Sequence, residues 1–247
     1  MDSYNCFAEY YDELTENVSY GKRCEYILKL LKHHNHPLGL TLDLACGTGS
    51  LTLELAKKGV DVFGADASEE MLCTAQSKAY EQGFNILFIC QQMQCLQLAE
   101  KIDTCLCTLD SINHLTEKEQ VQSTFNRVSE YMEKGGVFLF DVNTPYKHRQ
   151  VLGNNTFVYE TDDVFCVWQN TLCDGDVVEI DLDFFEYQDN GTYIRNGESF
   201  CERAYTHEEL AQMLKKAGFI IAGVYGDMTE ETPGETEERV FYVAVKA

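Results

Sequence analysis

The run LDLACGTGS, residues 42–50, sets one acid, Asp43, and two glycines, Gly47 and Gly49, between an apolar stretch and a helix start. Glycines at alternate positions lack a Cβ, so the backbone can turn tightly and approach a ligand closely. Seventeen residues beyond Gly49, Asp66 closes the next apolar run. A carboxylate there can accept hydrogen bonds from both hydroxyls of a ribose. The third glycine of a dinucleotide fingerprint would fall at position 52, which is Thr52. A pyrophosphate turn is therefore poorly supported, and an adenosine-containing ligand without a pyrophosphate fits better. A glycine pair alone also occurs in ordinary strand-to-helix turns; Asp66 is what gives this one its meaning.

A second set of reactive types, Asp110, Asn113 and His114, follows the run Asp103–Leu109. An imidazole suits proton transfer at neutral pH, so His114 can act as a base. Asp110 or Ser111 can equally cap the turn, and Asn113 can fix the loop. Arg195 and Arg203 lie near Trp168 and Tyr205, and could hold a carboxylate on two hydrogen bonds. Cross-strand pairing with Glu198 or Glu202 competes with that use and is the better reading. His33, His34 and His36 have no acid or cysteine beside them in sequence, so they read as a solvated helix terminus. The eleven cysteines form no CxxC pair, and no metal site is expected.

These groups need a frame. Helical spacing starts at Tyr20, with Cys24, Ile27, Leu28 and Leu31 on one face, and ends before Pro37. Short buried strands are expected at Leu40–Ala45, Val60–Ala65, Phe84–Cys90, Asp103–Leu109 and Val137–Val142. Helices alternate with them at Ser50–Lys58, after the capping Ser68, and at Glu117–Glu133. This grammar predicts an α/β fold with a doubly wound, mostly parallel sheet, whose ligands sit at the carboxyl ends of the strands. After Pro145 the pattern changes. Strands at Thr156–Glu160, Phe165–Leu172, Val177–Tyr187 and Thr192–Tyr205 follow one another, with Asp174-Gly175 and Asn190-Gly191 as hairpin turns. A helix at His207–Ala217 and strands at Phe219–Tyr225 and Val240–Val245 end the chain, joined by an acidic stretch, Thr229–Glu238, read as an exposed loop. The division expected is a core of residues 1–146 and 206–247 and an antiparallel β lid of residues 147–205.

The 247 residues carry 41 acidic and 19 basic side chains, a net charge of −22. A field of that sign repels phosphate backbones and disfavours a nucleic-acid partner. No apolar run approaches the length that spans a bilayer, and the N-terminus reads MDSYNCFAEYYDE, unlike a signal peptide. A cytoplasmic protein with reduced thiols, monomeric or homodimeric, is expected.

Taken together the motifs resemble the class I S-adenosylmethionine-dependent methyltransferases. LDLACGTGS resembles their first motif, and VFGADASEEML, residues 62–72, their second. CTLDSINHL, residues 107–115, is similar to the fourth-strand motif, and GGVFLFDVN, residues 135–143, to the fifth strand. The last two strands resemble the reversed hairpin that completes a seven-stranded sheet in this family. The resemblance implies S-adenosylmethionine as cofactor. It would be held by Asp43, Ala45, Cys46, Gly47 and Gly49, by Asp66 and Ala67, by Met71 beside the adenine, and by Leu109. In ICQQMQCL, residues 89–96, it implies Gln92 and Met93, although the family usually has an acid where Gln92 stands. An amide oxygen there still accepts, without charge assistance. FAEYYDELTENVSY, residues 7–20, resembles a bacterial subset whose aromatics cover the methionine end, which brings in Tyr11 and Tyr20. The implied activity is methyl transfer to nitrogen or oxygen of a small-molecule acceptor, with Asp110, Asn113 and His114 as candidate catalytic groups. A methyltransferase acting on RNA or protein, a nicotinamide-dependent oxidoreductase on a similar sheet, and a binding protein that has kept the fold are the competing readings. Thr52 and the antiparallel end of the sheet weigh against the oxidoreductase.

Overall fold

The computed structural model of the chain describes residues 18–247. Tyr11, with Tyr4, Phe7 and Tyr10, lies outside them. Along the chain run α1 (Tyr20–His33), β1 (Thr41–Leu44), α2 (Ser50–Lys57), β2 (Val62–Asp66), α3 (Glu69–Glu81), β3 (Phe88–Cys90), β4 (Ile102–Cys107), α4 (Lys118–Tyr131) and β5 (Met132–Asn143). Then come β6 (Thr156–Glu160), β7 (Val164–Leu172), β8 (Val177–Tyr187), β9 (Tyr193–Arg203), α5 (His207–Lys216), β10 (Phe219–Gly226) and β11 (Arg239–Lys246).

Among the described residues, seven strands form one sheet in the order β10-β11-β5-β4-β1-β2-β3. β1 pairs in parallel with β2 and β4; β11 is antiparallel to both β5 and β10. The chain moves outward from β1 to β3 and then returns to the other side of β1 as β4. The reversal opens a crevice at the carboxyl ends of β1 and β4, where such sheets bind ligands.

Both faces of the sheet are covered, which is why its strands read as continuous apolar runs. On one face Cys105, Cys107, Phe138 and Phe140 pack with Phe125 of α4 and Leu210 and Leu214 of α5. On the other, Leu106, Leu139, Phe241 and Val243 meet Ile27, Leu30 and Leu31 of α1 and Leu51 and Leu55 of α2. Ser68 caps α3 through its hydroxyl, which accepts from the Met71 N–H at 3.1 Å, and Glu69 and Glu70 fill the first turn. Thr206 and Glu209 form a reciprocal capping box on α5.

Two expectations need correction. β3 is only Phe88–Cys90, because Ile86 is buried with Leu53 and Ala79, and Phe84 packs against them. The histidines after α1 are not simply solvated: His34 Nε2 lies 2.8 Å from the Tyr225 hydroxyl, and His36 Nε2 lies 2.8 Å from the Thr104 hydroxyl. The acidic stretch is a mostly exposed loop, as expected, anchored at two points. Glu230 pairs with Lys29 and His33, and the Thr144 N–H donates to the Glu238 carbonyl at 3.0 Å.

The second sheet, β6-β7-β8-β9, is antiparallel throughout. Alternation along β8 buries Val178, Ile180, Leu182 and Phe184, which pack with Cys166 and with Leu152 of a π-helical turn, Lys147–Leu152. Arg195 forks onto Asp183 at 2.9 and 3.0 Å. Arg203 donates to the Thr116 carbonyl at 3.1 Å and lies over the Tyr205 ring. These partners replace the expected Glu198 and Glu202, which lie on β9 with the two arginines and so cannot face them across a strand pair; Asp183 is on the neighbouring β8.

Among the described residues no helix is long and apolar enough to cross a membrane.

Candidate functional site

The first side of the crevice is local. After β1 the backbone takes left-handed conformations at Ala45 (φ 58°), Gly47 (φ 54°) and Gly49 (φ 72°). For Ala45 that conformation costs about 1 kcal/mol or more, and it persists because the loop is tied down. The Cys46 N–H donates to the Ala65 carbonyl at 3.0 Å, and the Gly49 N–H to the Cys46 carbonyl at 3.0 Å. A Cβ on Gly47 would project into open space, whereas one on Gly49 would come 2.9 Å from the Ala75 Cβ. The two glycines therefore differ: Gly49 permits close packing, and Gly47 keeps a cradle open.

Asp66 locks this loop to the end of β2. Its Oδ2 accepts from the Gly47 N–H at 2.8 Å and its Oδ1 from the Ser68 N–H at 2.9 Å. A carboxylate has about four acceptor sites, so capacity for a diol remains. Burial pushes the Asp66 carboxyl up, against the opposing pull of these backbone N–H groups. Asp43, on β1, is 2% exposed. Burial raises its carboxyl to about 7, although the Thr52 hydroxyl donates to it at 2.5 Å, and the charge on Asp66 adds to the rise. The residue that replaces a third glycine is thus bonded to the acid of the first motif and fully buried. A cationic ligand is favoured beside two such carboxyls.

The other expected contacts surround that loop. Ala67 is exposed and Met71 buried at the start of α3. Gln92 is exposed after β3, its Oε1 accepting from the Gln94 amide at 3.1 Å, and Met93 packs on the core. Tyr20 opens α1 and packs against the cluster on that face. Leu109 is half-buried beyond β4.

The second side of the crevice is assembled from distant segments. Leu109 (φ 57°) and Asp110 (φ 54°) are consecutive left-handed residues. Asp110 forms an ion pair with Arg239 at 2.7 Å and accepts from Asn143 Nδ2 at 2.9 Å. Burial would raise its carboxyl, but Arg239, helped by Lys147 and His114, outweighs that and holds it well below the usual carboxylate range. Asn113 is fully buried. Its amide donates to the Asn143 and Arg203 carbonyls at 3.1 and 2.9 Å and accepts from the Asn143 N–H at 3.0 Å, which joins β4's turn to both β5 and β9. The His114 side chain is 32% exposed; its Nε2 lies 3.6 Å from Glu202 Oε1, and its ring lies 5.2 Å from that of Phe200. Of the three expected groups at this turn, His114 is the most exposed, its side chain at 32% against 18% for Asp110 and none for Asn113.

Sequence reasoning missed Asp141, Asn143, His148, Glu202, Arg23 and Arg239, which are buried or nearly so around this turn. His148 Nδ1 lies 2.9 Å from the Asp176 carbonyl, and its Nε2 lies 3.7 Å from Glu202 Oε2. Two signals were available. Arg239 is a basic residue directly after an acidic run, and GGVFLFDVN ends an apolar strand with Asp141 and Asn143.

Residues 41–136 match the family model of a methyltransferase domain. A relative from Geobacillus sp. (strain WCH70), whose name assigns it provisionally to the methyltransferases, is 36% identical over 99% of this chain and 100% of its own length. The crystal structure of an S-adenosylmethionine-dependent methyltransferase from Clostridium acetobutylicum ATCC 824 superposes with a TM-score of 0.89 at 36% identity, covering 99% of each chain. The chain belongs to the class I S-adenosylmethionine-dependent methyltransferases. A sugar N-methyltransferase from Streptoalloteichus sp. ATCC 53650 shares the fold, with a TM-score of 0.77 at 18% identity over 95% of this chain and 90% of its own.

The methyltransferase's cofactor is S-adenosylmethionine, and the residues present fit it. The open cradle at Gly47 admits a ligand, Asp66 retains acceptor capacity for a ribose, and the raised carboxyls of Asp43 and Asp66 suit a cation. When bound, the cofactor supplies an electrophilic methyl group on a positively charged sulfur.

Proposed function

We propose that this methyltransferase acts on a small molecule, on a nitrogen or oxygen nucleophile, between the β4 turn and the four-stranded sheet. The observation that carries this reading is His114, partly exposed, against Phe200 and Glu202 of β9. It is a proton-accepting ring at the junction of the cofactor-binding sheet and residues 147–205, which serve as the lid. The chain's own work is alignment and exclusion of water. Asp43, the Ala45–Gly49 loop, Asp66, Ala67, Met71, Gln92, Met93, Leu109 and Tyr20 hold the cofactor, with Tyr11 completing its cover. Asp110 and Asn113 fix the turn, and His114 takes the acceptor's proton. A sugar N-methyltransferase with the same fold supports a small acceptor, and the net charge of −22 weighs against RNA.

The test uses trideuteromethyl-labelled cofactor with a small-molecule extract, a protein extract and total RNA. Label is expected in a small molecule. Label only in protein or RNA overturns the reading. With that product as the assay, His114→Asn should lower kcat by about a hundredfold or more while leaving S-adenosylhomocysteine affinity within about threefold.

A further inference from the structure

The carboxylate of Asp141 is fully buried at the carboxyl end of β5. Its Oδ2 accepts the Leu109 N–H at 2.9 Å and its Oδ1 accepts the Asp110 N–H at 2.8 Å. These are the two consecutive left-handed residues after β4. Successive N–H groups in such a turn converge on one point and form an anion-binding nest. Here the anion is a side chain of the protein itself. The other acceptor sites of Asp141 are taken by cations: Arg239, and Arg23 at 3.4 Å. Arg239 extends to Asp110 at 2.7 Å, so the side chain of the nested residue is bound to the same cation as the carboxylate under its backbone. Arg23 comes from α1, lies over the Phe241 ring and reaches Asp227 at 3.7 Å.

We propose that Asp141 is the positioning residue of the reactive turn: its carboxylate holds Leu109 and Asp110 left-handed, and so presents Leu109 to the cofactor and His114 to the acceptor before either ligand arrives. The inference rests on the reading that this turn faces both ligands. Four acceptor sites meet four donors, two backbone N–H groups and two guanidinium groups, and this explains why an acid can be fully buried here. An asparagine cannot substitute, because its amide nitrogen would face one of the N–H donors. Asp141 acts through the backbone of the turn.

Amide exchange in the cofactor-free protein tests this directly. The Leu109 and Asp110 amides should be protected about a thousandfold or more over an unstructured chain, as strand amides are. Exchange within about tenfold of the unstructured rate overturns the proposal, and this measurement needs no variant. In Asp141→Asn those two amides should exchange about a hundredfold faster while amides of β1 and β2 change by less than about tenfold. S-adenosylhomocysteine affinity, measured by calorimetry, should fall about tenfold or more. Unchanged protection and affinity in the variant, or an equal acceleration of all amides, overturns the proposal. Failure of the wild-type protein to bind S-adenosylhomocysteine would instead remove the reading of the site on which the inference rests.

Discussion

Asp43→Asn should make the cofactor-free protein more stable at alkaline pH while weakening cofactor binding. Burial raises the Asp43 carboxyl from the ordinary 3.8 to about 7. Between those values the folded protein holds a proton on Asp43 that the unfolded chain has released. The unfolded state then binds fewer protons, so stability falls as pH rises from about 4 to about 7. At about 1.4 kcal/mol per pH unit, the gap amounts to about 4 kcal/mol at full ionisation. Asparagine removes that cost and keeps an acceptor for the Thr52 hydroxyl, but its amide hydrogens need partners, which takes back about 1–2 kcal/mol. The expected net gain is about 2–3 kcal/mol at pH 8, shrinking to about zero or below at pH 4. Urea unfolding of wild type and variant at both pH values reads this difference, and calorimetry with S-adenosylmethionine should show affinity lower by about tenfold or more. A variant no more stable than wild type at pH 8, or a difference that does not change with pH, would refute the reasoning. On the proposed reading of the site, a cationic ligand beside Asp43 would stabilise the charge and offset this penalty.

Two further substitutions probe the same side of the crevice. Thr52→Val removes the hydroxyl that donates to Asp43 at 2.5 Å and should cost about 1–3 kcal/mol by urea unfolding at pH 8, less at pH 5, where Asp43 is protonated. Gln92→Asp restores the acid usual at that position and should tighten S-adenosylhomocysteine binding by about tenfold, since a charged acceptor makes the stronger bond; a sharp fall in affinity would place Gln92 away from the adenine.

How much of this was legible in the sequence follows from how far apart the partners lie. The cofactor side is written in short range. Thr52 and Asp43 are nine residues apart, and Gly47 and Asp66 nineteen. A glycine loop, a following acid and the apolar runs around them therefore expose both the fold and the cofactor. The Ser68 cap and the two hairpin turns were readable for the same reason, since each rests on local backbone geometry. The arginines of the four-stranded sheet were less so, because which acid an arginine finds on a twisted sheet depends on strand register, which spacing alone does not fix.

The reacting side is written in long range. Arg23 meets Asp141 across 118 residues, and Arg239 meets Asp110 across 129. Arg23 stands in α1 and Arg239 directly after the acidic stretch, and spacing alone does not say that both reach one carboxylate. Only the sheet order, which sets β11 beside β5 and β5 beside β4, brings them to one carboxylate. The same order puts Asp110 and Asn113, reactive types at a strand end, among distant partners: Asp110 binds Arg239, and Asn113 binds three backbone groups of Asn143 and Arg203. Two consecutive left-handed residues need such anchoring, because each would relax if left to itself. The first and last described segments of the chain, α1 and β11, therefore do more than cover the sheet. Through Arg23 and Arg239 they close the charge balance around Asp141, and a change at either arginine is expected to reach the cofactor through the Leu109–Asp110 backbone.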